Sequence, residues 1–206
     1  MKKVYSLILV FITIMHLVAC WSQSDFPKPL IKEGVQPYNL TKSEKYLLQS
    51  FGMEGNSQII SFNAPYESIT LNVNVYRLEV DNTWHSISGA SISIGTEREP
   101  IDVLTGTFTM QLKENYVIDF NVNSGGIFSF NTDEIILDAE TMVSTIGFLQ
   151  EFQKIEMYKE IPVALMVYDS GTSMRSYSIQ DYFEPSKFEG MDLVQVVTLT
   201  FTDEEL

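Results

Sequence analysis

The chain has 206 residues, of which 45% are hydrophobic and 12% aromatic, so it has enough apolar material for a folded core and is not a disordered protein. Its formal charge is −14. A chain this acidic repels nucleic acid and anionic headgroups, so we expect no nucleic-acid partner and no membrane binding through a basic patch.

The first residues have the layout of a secretory signal. Lys2 and Lys3 give a cationic start, and the run from Val4 to Ala19 is mostly Val, Leu, Ile and Phe. As a helix, this run of 16 residues would span about 24 Å, which is shorter than the ~30 Å hydrocarbon core of a bilayer. We therefore predict a cleaved signal peptide over residues 1–19 rather than a permanent anchor.

The signal ends in the sequence Leu17-Val18-Ala19-Cys20, which resembles the lipobox of bacterial lipoprotein precursors. The resemblance covers only this segment and implies a diacylglyceryl group on Cys20 with cleavage after Ala19. Two acyl chains, at about 0.8 kcal/mol per buried methylene, would hold the protein stably in a membrane. Cys20 is also the only cysteine, so it has no internal disulfide partner. We expect a lipid-anchored protein on the extracytoplasmic face of the cell membrane.

A tether and a short helix are predicted to follow. Residues 20–40 are proline-rich and lack an apolar period, as is typical of a flexible linker. Thr41 and Glu44 fit a capping box, which predicts a helix at about residues 42–51. The remaining chain, residues 41–206, is expected to form a single domain.

From Gln58 onward, apolar residues alternate with polar ones at the period of a β-strand. Turn residues separate these runs every 8 to 12 residues or so, which predicts an all-β, antiparallel β-sandwich of the Ig-like or jelly-roll-like type. The alternation that includes Val73 and Val75 shifts by one residue at Tyr76, and this shift predicts a β-bulge there.

Three segments in the second half need separate predictions. The stretch from Thr141 to Lys159 is ambiguous, since Leu149, Phe152 and Ile155 fit a helix whereas Ile155 and Met157 fit a strand. The run from Ile161 to Tyr168 is almost wholly apolar and predicts a buried strand. Its expected partner, Leu193 to Phe201, follows a connection of more than twenty residues, and connections that long are usually functional or contain a missed element.

Catalytic chemistry finds little support in the residue types. His85 is the only histidine after the signal, so neither a His/Cys zinc site nor a histidine-based triad is indicated. The acidic groups at Asp133-Glu134, Asp138 with Glu140, and Asp203-Glu204-Glu205 lack the spacing of a calcium loop and are typical of a solvated surface. We predict no catalytic residue, no metal site and no cofactor.

Two features suggest binding instead. The first is a set of polar rows on strand faces: Asn72 with Asn74, and Asp119 with Asn121 and Asn123. Amides and carboxylates beside aromatic rings suit a carbohydrate, although a sandwich also needs polar faces toward water. The second is the long connection before the last strand, whose candidate binding residues are Arg175, Tyr177, Asp181, Tyr182 and Phe183.

The leading hypothesis is a non-enzymatic, membrane-anchored lipoprotein of the cell envelope that binds a protein or glycan partner. A second is a carboxylate-dependent hydrolase of glycans, which requires two carboxyl groups about 5 to 9.5 Å apart. A third is a structural subunit of an envelope assembly, which an uncovered edge strand would favour.

Overall fold

The computed structural model describes residue 30 and residues 32–98, 101–137, 142–171 and 175–206. The predicted signal peptide, Cys20 and about half of the expected tether lie outside these ranges. Ten strands in the described residues form two five-stranded sheets, and every pairing is antiparallel. The predicted antiparallel β-sandwich is confirmed.

The first sheet contains, in spatial order, β1 (Gly34–Pro37), β2 (Ser57–Asn63), β5 (Thr105–Leu112), β6 (Ile118–Asn123) and β7 (Ile127–Asn131). The second sheet contains β4 (Trp84–Ser93), β3 (Thr70–Leu78), β10 (Leu193–Thr202), β9 (Ile161–Asp169) and β8 (Val143–Phe148). Alternate residues of each strand point between the sheets and build one core. Phe62 of β2 and Phe201 of β10 meet there, with ring centroids 5.9 Å apart.

The expected tether ends earlier than its composition suggested. Gly34–Pro37 form β1, which pairs with β2, and Val35 is fully buried. The main chain of Val35 also exchanges hydrogen bonds with Gln153, at 2.9 and 2.8 Å. The prediction of a flexible linker through residue 40 is therefore wrong for residues 34–37. The sequence did not reveal this strand because it has only four residues and ends in Pro37.

The predicted helix is confirmed as α1 (Lys42–Ser50), which starts with the expected capping box. The Thr41 hydroxyl accepts from the Glu44 amide at 3.2 Å, and the Glu44 carboxylate accepts from the Thr41 amide at 2.6 Å. None of its residues is buried. No helix within the described residues has the length and apolar character that crossing a bilayer requires.

The predicted bulge is present where the alternation shifts, between Val75 and Tyr76, but its extra residue is on the neighbouring strand. Val75 pairs with Ser88 and Tyr76 with Ser86, so Ile87 of β4 is the unpaired residue. β3 itself keeps its alternation, and Tyr76 points to the outer face of the sheet. Apolar residues appear on the outer face of β3 from Tyr76 onward because other parts of the chain cover the sheet there.

The ambiguous segment before β9 contains no helix in its described part. Val143–Phe148 form β8, and residues 149–160 form an irregular connection, the β8–β9 loop. The buried strand β9 and its pairing with β10 are confirmed. The connection between them, residues 170–192, is called the β9–β10 connection; it contains two short 3₁₀ helices, Ile179–Phe183 and Pro185–Phe188, whose buried residues join the core cluster.

Candidate binding cleft

A polar row lies on the outer face of the second sheet. Asn72 and Asn74 point outward because Val73 between them belongs to the core. On β10, Thr200 pairs with Asn72 and Thr198 pairs with Asn74, so their side chains share this face. Asn72, Asn74 and Thr200 line a cleft of about 890 Å³.

An aromatic cluster borders the cleft on the side of the β9–β10 connection. Trp84, the first residue of β4, has its ring centroid 5.1 Å from that of Tyr182, and its Nε1 donates to the Tyr182 carbonyl at 3.1 Å. The ring of Phe183 lies 5.0 Å from the Tyr182 ring and is 61% exposed. Packing of Trp84 against Tyr182 therefore fixes the backbone that presents the exposed Phe183 ring.

A second exposed ring comes from the β8–β9 loop. The Tyr158 amide donates to the Phe201 carbonyl at 2.9 Å, and its hydroxyl donates to the Asp203 carboxylate. Its φ of 65° lies in the left-handed region, which residues with bulky side chains rarely adopt. The surrounding contacts hold this conformation and leave the ring 54% exposed at the cleft.

Glu160 supplies the carboxylate of the cleft and is fixed from several directions. Tyr76 donates to its Oε1 and Tyr182 donates to its Oε2, both at 2.5 Å. The Thr198 hydroxyl lies 3.4 Å from Oε1 and also donates. These donors come from β3, β10 and the β9–β10 connection, so the Glu160 carboxylate links three parts of the chain.

The same arrangement affects both tyrosines. Burial, the hydrogen bond to Glu160 and the negative charge of that carboxylate all raise the pKa of Tyr76 far above its usual value, in that order of size. The pKa of Tyr182 is raised further, again mainly by burial. Both hydroxyls therefore remain protonated donors at any physiological pH.

The cleft also has capacity left for a ligand. The Thr200 hydroxyl is buried and has no hydrogen-bond partner in the described part of the chain. Asn72 Oδ1 accepts from Ser91 at 2.5 Å, which orients the amide. Lys159, the cation among the lining residues, forms a 2.5 Å ion pair with Glu156. The cleft thus combines exposed rings with amide, hydroxyl and carboxylate groups.

The structure divides the five binding residues predicted on the connection. Tyr182 and Phe183 line the cleft, whereas Arg175, Tyr177 and Asp181 do not. Arg175 is exposed, and its carbonyl accepts from Thr145.

The other two residues have partners within the connection itself. Tyr177 packs on Phe188, with ring centroids 5.1 Å apart. Asp181 caps the first 3₁₀ helix by accepting from the Ser178 amide, and it binds Lys187 at 2.6 Å. The hydrogen bond from Lys187 is the largest cause of the lowered pKa of Asp181.

The two polar rows predicted from the sequence lie on different sheets. Asn72 and Asn74 are in the cleft, but Asp119, Asn121 and Asn123 belong to β6 of the first sheet. Asp119 forms a 3.5 Å ion pair with Lys113, and Asn121 accepts from Ser129 at 2.6 Å. Only the first row is brought together with aromatic rings.

The acidic groups singled out in the sequence do not line the cleft. Asp133 and Glu134 are exposed, and Asp138 and Glu140 lie outside the described residues. At the C-terminal end, the Asp203 carboxylate accepts from Tyr158. In the part of the chain that the structure describes, no cluster of three or more His, Cys, Asp or Glu side chains could hold a metal ion.

Sequence reasoning missed five residues that shape the cleft: Tyr76, Trp84, Tyr158, Glu160 and Thr200. One signal was available. An apolar residue appearing on the polar face of β3, as Tyr76 does, indicates that something covers that face.

Comparison with known proteins gives no match: no protein-family model, no curated protein and no solved structure shows significant similarity to this chain.

Proposed function

We propose that the protein is a non-enzymatic binding module of the cell envelope that captures a protein or glycan partner through the cleft. A lipid on Cys20 holds it at the extracytoplasmic face of the cell membrane. The observation that carries the binding role is the pair of exposed rings, Tyr158 and Phe183, beside the fixed Glu160 carboxylate and the Asn72 amide. Such a group of exposed rings and oriented polar atoms is typical of ligand sites.

The test is a pull-down from envelope material with the full-length protein in mild detergent, comparing wild type with Phe183→Ala and Tyr158→Ala. The matched control is Phe51→Ala, because Phe51 is also an exposed phenylalanine, at 75%, but does not line the cleft. Arg175→Ala serves as a second control from the β9–β10 connection. We expect a component that wild type and both controls recover and both cleft variants lose; equal recovery by all five proteins would contradict the proposal.

The anchor rests on the lipobox-like segment and is tested separately. Cys20→Ser should lose the lipid and remain uncleaved. A globomycin-type inhibitor of the lipoprotein peptidase should reproduce only the second effect in the wild type, because it blocks cleavage and leaves the lipid in place. Mass spectrometry of the N-terminal peptide gives the readout. Normal cleavage of Cys20→Ser, with unchanged retention in the membrane pellet, would contradict lipid anchoring.

A second candidate function, a subunit of an envelope assembly, is favoured by the edge strand β4. It has ten residues and contains no Lys, Arg, Asp or Glu, and no described residue pairs with its outer edge. Edge strands that avoid association usually carry such charges. His85→Glu places a charge at an exposed position of this edge, opposite Arg77 and not on the face of Tyr76. Loss of a cross-linked complex in this variant, with cleft-dependent capture intact, would support the assembly role.

A further inference from the structure

We infer that the cleft binds a neutral saccharide. This assignment rests on the proposed binding function and specifies its ligand class. It follows from three properties of the lining residues, namely the placement of exposed rings, the acceptor capacity of a fixed carboxylate, and the balance of charge.

The exposed rings provide the surface that the apolar face of a sugar ring needs. Tyr158 and Phe183 are 54% and 61% exposed, and they reach the cleft from two different connections of the second sheet. Each is held in place, Tyr158 by its amide and hydroxyl contacts and Phe183 by the neighbouring Tyr182 ring. Aromatic rings combine a large apolar surface with few torsions to immobilise, so ordering them on a ligand costs little entropy.

Polar groups between these rings suit hydroxyl groups. A carboxylate has about four acceptor sites, and Tyr76, Tyr182 and Thr198 donate to three of them at Glu160. One site therefore remains for a ligand hydroxyl. The unpartnered Thr200 hydroxyl can both donate and accept, and planar amides such as Asn72 and Asn74 pair with neighbouring hydroxyls.

The charge balance favours an uncharged ligand. The described lining residues include one cation, Lys159, and one anion, Glu160, so the lining has no excess of positive charge that could hold an anionic ligand. Lys159 is already paired with Glu156. An anionic saccharide would in addition meet the field of a chain with a formal charge of −14. A cationic peptide would find Glu160 already surrounded by three hydroxyl donors, which leave one acceptor site for a ligand.

The size of the cleft fits more than one sugar ring. Its volume of about 890 Å³ lies near the upper end of the range for small-molecule sites, which is roughly 300–1,000 Å³. We therefore expect oligosaccharides to bind more tightly than their monosaccharide units.

The experiment titrates the full-length protein in mild detergent and follows the fluorescence of Trp84. The chain has two tryptophans, and Trp21→Phe leaves Trp84 as the one that reports. The probes are neutral tetrasaccharides of glucose, mannose and N-acetylglucosamine, with oligogalacturonate and oligolysine as charged comparisons. In the same background, the variants are Tyr158→Ala, Phe183→Ala and the control Phe51→Ala.

We expect at least one neutral tetrasaccharide to bind, with affinity lowered about tenfold or more by each cleft variant and unchanged by the control. Binding of only the charged probes, no binding of any neutral probe at millimolar concentration, or equal binding by all variants would overturn the saccharide assignment. The pull-down distinguishes the two proposals. Cleft-dependent capture of a protein, without saccharide binding, would keep the binding function and remove only the ligand class.

Discussion

The Tyr182 hydroxyl donates a 2.5 Å hydrogen bond to Glu160 Oε2, and this bond joins the β9–β10 connection to the end of the β8–β9 loop. Tyr76 binds the other oxygen of the same carboxylate from β3. The cleft therefore depends on a half-buried charge that is stabilised by hydroxyl donors rather than by a cation. Removing one donor should affect both stability and the position of the exposed rings.

Tyr182→Phe should destabilise the fold by about 1.5–3 kcal/mol, the usual contribution of a hydrogen bond to a charged group. The ring and its packing on Trp84 remain, so the loss reports the hydroxyl. Urea unfolding of the variant, of Glu160→Gln and of the double variant gives the coupling between the two residues. Tyr177→Phe is the matched control, because the nearest partner of its hydroxyl is the Met191 sulfur at 3.7 Å. Additive effects of the two cleft changes would contradict a direct interaction.

Alkaline pH should destabilise the wild type more than a Tyr76→Phe/Tyr182→Phe variant. Both tyrosines have a raised pKa in the folded state, whereas in the unfolded chain they ionise near their usual value of about 10. Above that pH the folded state binds more protons than the unfolded state, so the free energy of unfolding falls as pH rises. Below about pH 10, the stabilisation that the two protonated tyrosines contribute is fully present.

Urea midpoints at about pH 8, 10 and 11 provide the measurement. Tyr168, whose burial raises its pKa to about 12, is present in both proteins and contributes equally to their slopes. The difference between the two proteins therefore isolates Tyr76 and Tyr182. Identical pH dependence in the two proteins would contradict a raised pKa of Tyr76 and Tyr182 in the folded state.

Local sequence patterns were sufficient to predict the sandwich, the capped helix, the β9–β10 pair and the position of the bulge. They failed at β1, because a strand of four residues that ends in Pro37 has the composition of a linker. They left the segment before β9 undecided, because Phe152 and Ile155 follow a helical spacing but serve tertiary contacts in the β8–β9 loop. Ile155, for example, is buried in the core.

The cleft was only partly predictable, since its residues are far apart in the chain. Asn72 and Asn74 were recognised as a polar row, and Tyr182 and Phe183 as binding candidates, but no sequence signal placed them together. The Trp84 to Tyr182 hydrogen bond spans 98 residues, and the Tyr76 to Glu160 bond spans 84. Such contacts depend on the register of β3, β4 and β10, which composition and periodicity do not determine.

Gly34→Ala should destabilise the fold by about 1–3 kcal/mol through overpacking. A Cβ at this position would overlap the Phe152 ring and lie 2.5 Å from the Gln153 carbonyl oxygen, so β1 or the β8–β9 loop would have to move. Gly126→Ala is the control, because its nearest contact would be an ordinary 3.6 Å to Phe128. Thermal unfolding distinguishes the two variants. Equal stability would mean that residues 34–37 belong to the tether after all.

Asn72→Ala and Asn121→Ala should destabilise the protein equally but differ in binding. Each asparagine accepts one hydrogen bond from a serine on the neighbouring strand, Ser91 at 2.5 Å and Ser129 at 2.6 Å. Each change should therefore cost about 0.5–1.5 kcal/mol of stability. Only Asn72 lines the cleft, since Asn121 lies on the outer face of the first sheet.

Unfolding midpoints and saccharide titrations of the two variants, made side by side, separate stability from recognition. Loss of affinity in Asn72→Ala alone would locate recognition on the outer face of the second sheet. The same loss in Asn121→Ala would trace the effect to general destabilisation, because that residue cannot reach a ligand in the cleft. Retained affinity in both variants would exclude the Asn72 amide from the site and leave the two exposed rings and Glu160 as its contacts.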